Sequence, residues 1–132
     1  MCIRDRGFGT SEWVPTPEEY AFKEGDGSSH SLILEMMTTL PRSKILDLGC
    51  SAGLLAEKLR EAGHTVVGVD AIELPGVRER TDQFFVADLE KPLPAAVGSG
   101  YDVVIAGDII EHLARPADAL REMRRVRPAP QR

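Results

Sequence analysis

Short apolar runs alternate along the chain with amphipathic stretches of helical spacing. The apolar runs lack strict polar alternation, which is typical of strands buried on both faces; they cover Lys44–Leu48, Thr65–Asp70, Gln83–Val86 and Tyr101–Ala106. Apolar residues three and four positions apart predict helices over 28–40, 54–62 and 116–126, with a short, poorly defined helix over 74–80. Because strands and helices alternate, we expect parallel pairing with right-handed crossovers. The fold class is α/β, an incomplete doubly wound, mostly parallel sheet of about four strands with flanking helices.

The ends of the predicted helices carry local signals. Pro41 ends the first helix, whose apolar residues at helical spacing are Leu32, Met36, Met37 and Leu40. We expect Gly63 to end the second helix, since glycine adopts the left-handed conformation that closes many helices. Pro116 opens the last helix at a first-turn position, and we expect Leu120 and Met123 to face inward.

Composition limits the class of protein. The chain has 132 residues, 42% hydrophobic and 28% charged, and a formal net charge of −5, as is typical of one soluble globular domain. An eight-stranded α/β barrel, which needs about 250 residues, is excluded. The acidic balance and few aromatic residues argue against nucleic acid as a partner, and no apolar run approaches the roughly 18 residues of a membrane span. The two cysteines, Cys2 and Cys50, give no disulfide framework, so we expect a reducing, cytoplasmic setting.

A glycine-rich turn over 49–53 follows the first strand, at the sheet edge where ligands of open α/β sheets bind. A dinucleotide-binding G-x-G-x-x-G pattern fails here, because Ser51 and Leu54 occupy the second and third glycine positions. The turn does satisfy the G-x-S-x-G of a nucleophile elbow. That interpretation requires an acid and a histidine after later strands, for which the chain is too short, and it leaves Asp47 and Asp70 unexplained.

A nucleoside cofactor without a bridging phosphate explains these residues better. Gly49 and Gly53 would let the backbone approach such a ligand closely. Asp70, at the end of the second strand, is suited to accept two charge-assisted hydrogen bonds from a ribose diol. The alternative is that Asp47 and Asp70 only cap the turns that follow their strands.

Four motifs in order resemble those of class I S-adenosylmethionine-dependent methyltransferases, which have a Rossmann-like fold. They lie within 28–127: the segment from Ile45 to Gly53, Val67 to Asp70, Ala87-Asp88-Leu89, and Asp102-Val103-Val104 with Gly107 to Leu113. The resemblance implies that the turn surrounds the methionine part of S-adenosylmethionine, that Asp70 holds the ribose hydroxyls, and that Asp88 faces the adenine amino group beside Leu89. The implied cofactor-binding set is Asp47, Gly49, Cys50, Ser51, Gly53, Asp70, Ala71, Asp88 and Leu89. Ser51 departs from the family, which most often has glycine there.

Asp108, Glu111 and His112 follow the fourth strand at offsets that place them on one side of a helical turn. His112 is a candidate general base oriented by Glu111. The segment is also similar to one in ubiquinone-pathway O-methyltransferases and small-RNA 2′-O-methyltransferases, where the acids and the histidine help coordinate a metal. This similarity implies a divalent ion as an alternative; the third interpretation is that the trio only caps or lines the loop.

These observations predict methyl transfer to an oxygen of a small-molecule acceptor, with a non-catalytic or inactive cofactor-binding fragment as the alternative. His30 is expected on a helix surface rather than over the cofactor, the C-terminal arginines on a solvated face, and Cys50 as a packed residue. The opening Met1–Arg6 resembles a translated sequencing adaptor. We therefore expect residues 1–27 to be a scar with a loop lead-in, 28–126 the N-terminal part of a truncated S-adenosylmethionine-binding domain, and 127–132 a tail.

Overall fold

Four parallel strands form one sheet in the computed structural model, which describes residues 29–106 and 109–127. The strands are β1 (Lys44–Leu48), β2 (Thr65–Asp70), β3 (Gln83–Val86) and β4 (Val103–Ile105). Their order in the sheet is β3-β2-β1-β4, and all three pairings are parallel. The predicted α/β class, strand number and parallel pairing are therefore confirmed; β4 is shorter than the predicted run over 101–106.

Helices connect and flank the strands. They are α1 (Ser29–Thr38), α2 (Leu54–Glu61), α3 (Val77–Arg80) and α4 (Pro116–Val126), with single 3₁₀ turns at Ala95–Val97 and Ile110–His112. Pro116 is the first residue of α4, as predicted. Within 29–106 and 109–127, no helix is long and apolar enough to cross a bilayer.

Gly63 ends α2 as predicted. Its φ is +102°, a left-handed conformation that glycine adopts without a steric penalty. Its N–H donates to the carbonyl of Arg60 at 2.9 Å, and the N–H of His64 donates to the carbonyl of Leu59 at 3.1 Å. These two bonds satisfy carbonyls that the end of the helix would otherwise leave unpaired.

Both faces of the sheet are buried, because neighbouring residues of each strand point to opposite sides. Leu46, Val67 and Val69 face a cluster that includes Leu89 and Tyr101. On the other face, residues of β1 and β2 pack against α1 and α2; the buried members are Met37, Ile45, Leu55, Ala56, Leu59, Val66 and Ile105. The apolar runs without alternation thus correspond to strands that are covered on both sides.

The buried stripe of α1 is displaced from the predicted one. Leu32, Met36 and Leu40 are exposed, whereas the residues turned toward the interior are His30, Ile33, Leu34 and Met37. Positions 30, 33, 34 and 37 have the i, i+3, i+4, i+7 spacing of one helix face. His30 lies on that face and is only 3% exposed, so its predicted surface position is wrong.

The same spacing explains an error in α4. Leu120 is 49% exposed, contrary to its predicted inward position, while Met123 packs against the core as predicted. The inward face of α4 consists of Ala119, Glu122, Met123 and Val126. A glutamate on this face lowers its apparent amphipathicity, which is why the sequence pattern favours Leu120.

Candidate functional site

The glycine-rich turn after β1 lies across the end of β2. The N–H groups of Gly49 and Cys50 donate to the carbonyl oxygen of Val69 at 2.7 and 3.3 Å. Gly49, Ser51 and Gly53 have φ values of +76°, +56° and +84°, all in the left-handed region. The turn therefore lies at the carboxyl edge of the sheet. At this point the chain leaves β1, whose two neighbours in the sheet are β2 and β4. Open α/β sheets bind ligands at such a point.

Cys50 fills the space beneath this turn. A Cβ on Gly68 of β2 would lie 2.7 Å from Cys50 Sγ, so the close approach of turn and strand requires glycine there. The Cys50 side chain is buried with Val77 and Phe84, and burial raises the pKa of its thiol well above the ordinary range. The thiol is a packed group, and the backbone of Cys50 is the part that belongs to the turn.

Helix α3 supports the turn from its other side. Arg80 Nη1 donates to the carbonyl of Ala52 at 3.1 Å, and Arg80 Nε lies 3.8 Å from the Glu57 carboxylate of α2. A Cβ on Gly53 would lie 3.1 Å from Arg80 Cβ. The sequence pattern, which predicts only a poorly defined helix over 74–80, does not distinguish Arg80 from other surface arginines.

Asp70 connects the end of β2 to the turn. Its Oδ2 accepts the N–H of Ser51 at 2.8 Å, and its Oδ1 accepts the N–H of Ala71 at 2.7 Å. Burial raises the pKa of Asp70, and hydrogen bonds from the backbone amides of Ser51, Ala71 and Ile72 oppose that shift. A carboxylate oxygen accepts more than one hydrogen bond, so both oxygens keep capacity for a ligand.

Asp47 is the second buried carboxylate at this edge. It pairs in register with Gly68 of β2 and with Ile105 of β4, so it has a neighbouring strand on each side, one residue before the end of β1. Burial raises the pKa of Asp47 to about 7, and the charge of Asp70 acts in the same direction. Two acidic side chains thus share a poorly hydrated edge of the sheet.

The remaining predicted cofactor-binding residues follow β2 and β3. Ala71 is exposed beside Asp70, and Asp88 is exposed with its Oδ1 accepting the N–H of Glu90 at 2.8 Å. Leu89 is 9% exposed and belongs to the core cluster. Sequence reasoning missed Ile72, which is 44% exposed two residues after Asp70. A large apolar side chain left in solvent after a strand-end acid is the signal that marks it.

A cavity of about 500 Å³ opens beside Leu89, between the segment after β3 and helix α4. Its apolar lining residues include Leu48, Leu89, Leu93, Ile109, Leu113 and Met123. Two glutamates hold its walls together. Glu90 accepts the N–H of Ala114 with both carboxylate oxygens, at 3.1 and 3.0 Å, and Glu122 accepts the N–H of Leu93 at 2.8 Å. Sequence reasoning missed these contacts, because a glutamate carries no sequence signal for a distant amide.

The predicted catalytic trio is described only in part. Asp108 lies outside the described residues, and of Glu111 the structure describes the backbone alone. His112 is half-buried in the 3₁₀ turn that follows β4, and its N–H donates to the carbonyl of Ile109 at 2.9 Å. No cluster of three metal-ligating side chains occurs within 29–106 and 109–127. The convergence of Asp108, Glu111 and His112 on one point therefore stays a prediction.

A parallel sheet of order 3-2-1-4, a glycine-rich turn after β1 and an acid at the end of β2 define a Rossmann-like domain. Residues 46–128 match the family described as methyltransferase domain, and the chain belongs to that family. A TehB-like SAM-dependent methyltransferase from Corynebacterium glutamicum is 25% identical, with a TM-score of 0.61 over 78% of this chain and 58% of that chain. The N-methyltransferase NodS from Bradyrhizobium japonicum, solved with S-adenosyl-L-homocysteine, shares the fold at 18% identity and a TM-score of 0.61, over 75% of this chain and 55% of that chain.

Two curated relatives show which kind of methyltransferase the chain resembles. The ubiquinone biosynthesis O-methyltransferase of Roseobacter denitrificans is 38% identical over 89 residues, which are 63% of this chain and 36% of that protein. The mitochondrial ubiquinone biosynthesis O-methyltransferase of Arabidopsis thaliana is 33% identical over 90 residues, which are 61% of this chain and 27% of that protein. The predicted resemblance to class I methyltransferases of this kind is confirmed. The chain spans well under half the length of these relatives.

Proposed function

We propose that the chain binds S-adenosylmethionine at the carboxyl edge of its sheet and serves methyl transfer to an oxygen of a small-molecule acceptor. The observation that carries this proposal is the hydrogen bond from Ser51 N to Asp70 Oδ2, at 2.8 Å. This bond joins the glycine-rich turn to the acid at the end of β2. In the proposed complex, the acid would bind the ribose diol and the turn would contact the amino-acid moiety.

The residues at this edge fit the cofactor. Asp70 retains lone pairs for the ribose hydroxyls beside the hydrogen bonds that its oxygens accept from backbone amides. The turn over 49–53 offers backbone within reach of the methionine part, Asp88 offers an exposed carboxylate for the adenine amino group, and Leu89 an apolar surface for the ring. The cofactor supplies an activated methyl group, so the protein's main task is to align the acceptor.

Proton removal from the acceptor is assigned to the trio after β4. We propose His112 as general base and Glu111 and Asp108 as its partners, with binding of a divalent ion as the competing role. The two roles differ in their response to a chelator. A metal site loses activity on chelation and regains it with Mg²⁺, Mn²⁺ or Zn²⁺, whereas a His112 base is indifferent to chelation.

The charge of the chain and the names of its relatives support a choice of acceptor. The formal net charge of −5 disfavours a polyanion as acceptor, and the curated relatives named above are O-methyltransferases of ubiquinone biosynthesis. We therefore propose a hydroxylated small molecule, handled in the cytoplasm. Cofactor binding without turnover is the second candidate, because the described contacts at this edge, such as that between Ser51 and Asp70, concern the cofactor site alone.

Calorimetry with S-adenosyl-L-homocysteine, followed by a methyl-transfer assay with catechol as a generic hydroxyl acceptor, tests the two candidates. Binding with turnover supports the enzyme, and His112→Ala should then abolish transfer without loss of cofactor affinity. Binding without turnover, for a panel of phenolic acceptors, supports the second candidate. No binding of S-adenosyl-L-homocysteine contradicts both.

A further inference from the structure

Ser51 combines two unfavourable features at one position. Its φ is +56°, and within 29–106 and 109–127 it is the one non-glycine residue with a positive φ. Its side chain is 3% exposed, and its Oγ is buried without a hydrogen-bond partner among the described residues. A left-handed conformation is costly for a residue with a Cβ, and so is a buried hydroxyl without a partner. Glycine at this position would remove both costs.

The position of Ser51 suggests what offsets these costs. The residue lies in the turn between β1 and α2, and its own N–H is fixed to Oδ2 of Asp70 at 2.8 Å. That bond holds the residue on the side of the turn that the Asp70 carboxylate faces. A strained residue with an unsatisfied buried polar group, next to a candidate ligand site, is the pattern of a group whose partner arrives with the ligand.

We propose that the Ser51 hydroxyl is a hydrogen-bonding group for the nucleoside half of the bound cofactor, acting beside Asp70. The proposal rests on the proposed function, because it requires S-adenosylmethionine at this edge. A hydroxyl both donates and accepts, so it can pair with a ribose hydroxyl that also donates to a carboxylate. Ser51 thereby strengthens ligand binding and weakens the unliganded fold.

Two substitutions separate these effects in the full 132-residue chain. Ser51→Ala removes the hydroxyl and keeps the strained backbone, while Ser51→Gly removes both. We expect both variants to melt at a higher temperature than the unsubstituted chain without ligand, with the larger increase for Ser51→Gly. We expect both to bind S-adenosyl-L-homocysteine about 5- to 10-fold more weakly, the loss of one hydrogen bond. The same loss should appear with 5′-methylthioadenosine, which carries the nucleoside but lacks the amino-acid moiety.

Ser43→Ala is the matched control. The Ser43 hydroxyl donates to the carbonyl of Pro41 at 2.7 Å in an exposed loop, so its removal should leave both affinities unchanged. A lower melting temperature for Ser51→Ala overturns the proposal, because the hydroxyl would then stabilise the fold. Unchanged affinity in both Ser51 variants, or a loss confined to S-adenosyl-L-homocysteine, also overturns it. If the unsubstituted chain binds neither ligand, the proposed function fails and this inference fails with it.

Discussion

The backbone amide of Ser51 and the carboxylate of Asp70 form a 2.8 Å hydrogen bond that connects the turn after β1 to the end of β2. The turn is held a second time by Arg80, which donates to the carbonyl of Ala52. Both contacts are made between groups of the chain itself. The protein's own residues therefore arrange this edge, which reduces the ordering cost that a ligand would otherwise meet.

We expect Asp70→Asn to weaken binding of S-adenosyl-L-homocysteine by about 10- to 150-fold, because the amide lacks the charge that strengthens hydrogen bonds to ribose hydroxyls. Isothermal titration calorimetry measures the change. Asp102→Asn is the control, since Asp102 also accepts a backbone amide, that of Lys44 at 2.9 Å, at the other end of the sheet. Equal affinities of Asp70→Asn and the unsubstituted chain for S-adenosyl-L-homocysteine would show that Asp70 does not bind the ligand.

Replacement of Asp70 should also lower stability. A strand-end acid is expected to lie outside the core, but Asp70 is buried, and its carboxylate accepts the backbone amides of Ser51 and Ala71. Asp70→Ala would leave the amides of Ser51 and Ala71 without this acceptor, at a cost of about 1–3 kcal/mol for each amide that stays buried. Asn is therefore the better probe of binding, because it retains one acceptor oxygen.

The buried carboxyl of Asp47 predicts a pH dependence of stability. Its pKa is raised from 3.8 to about 7 by burial and by the charge of Asp70, so between these values the folded chain holds a proton that the unfolded chain releases. Stability from this group falls as pH rises from 3.8 to about 7 and then levels off. The expected penalty above that range is on the order of 4 kcal/mol.

Asp47→Asn removes this ionisation. The variant should gain stability relative to the unsubstituted chain as pH rises, and the difference should reach a plateau above neutral pH. Thermal unfolding of both chains from acidic to mildly alkaline pH measures it. Asp118→Asn, on the exposed face of α4, controls for loss of one negative charge. A difference between Asp47→Asn and the unsubstituted chain that does not vary with pH would contradict the buried ionisation.

His64 joins three segments through one imidazole ring. Its Nδ1 accepts the N–H of Ser43 at 3.1 Å, and its Nε2 donates to the carbonyl of Met37 at 2.9 Å. The Ser43 amide can only donate and the Met37 carbonyl can only accept, so the ring is neutral with its proton on Nε2. His64→Ala leaves both backbone groups without this partner and should cost about 2–4 kcal/mol.

Thermal unfolding and hydrogen exchange at the Ser43 amide test the role of His64. The variant should melt earlier, and the Ser43 amide should exchange faster. Thr39→Ala is the control, because it removes an exposed hydrogen bond at the end of the same helix, from Oγ1 to the carbonyl of Met36. A stability loss no larger than that of Thr39→Ala would show that His64 does not hold α1 in place.

The role of His64 also marks the limit of what the sequence predicts. The strands are predictable because apolar runs without alternation, between periodic helices, are typical of buried parallel strands. His64 has partners 27 and 21 residues away, and no local pattern encodes such a contact. The same holds for the burial of His30 and the inward position of Glu122, since polar residues on an inward helix face contradict the hydrophobic signal that locates that face.

The site divides in the same way. The positions of Gly49, Ser51, Gly53 and Asp70 are predictable, because the turn after one parallel strand and the acid at the end of the next lie at the same carboxyl edge of the sheet. Sequence reasoning missed Arg80 and Glu90, since each acts through a contact with a residue distant in the sequence. It missed the exposure of Leu120 because the phase of a helix depends on which neighbour the helix meets.

The outer edge of β4 predicts self-association. Among the described strands, β1 alone pairs with β4, and Val103, Val104 and the half-exposed Leu120 line an open groove beside that edge. Unpaired edges of apolar strands are sites of association. We expect the chain to associate as its concentration rises, and Leu120→Glu to reduce this association without loss of secondary structure.

Sedimentation velocity over a wide concentration range measures this association. Leu32→Glu, at an exposed apolar position on α1, is the matched control. If Leu32→Glu reduces association and Leu120→Glu does not, the contact between chains involves α1 and not the edge of β4. A monodisperse chain that unfolds cooperatively at every concentration would show that the outer edge of β4 does not promote association.

The position of β1 between β2 and β4 has a consequence for the order in which the chain matures. The amide of Lys44 donates to the carboxylate of Asp102, which is 58 residues further along the chain. The side of β1 that faces β4 therefore stays unpaired until that segment has been synthesised. During that interval β1, β2 and β3 can pair among themselves, whereas β1 keeps an open apolar margin. Distant pairing of this kind forms late and leaves nascent chains prone to misassembly. The strand that carries the candidate site is thus the one whose pairing is completed by β4, the last of the four strands to be synthesised.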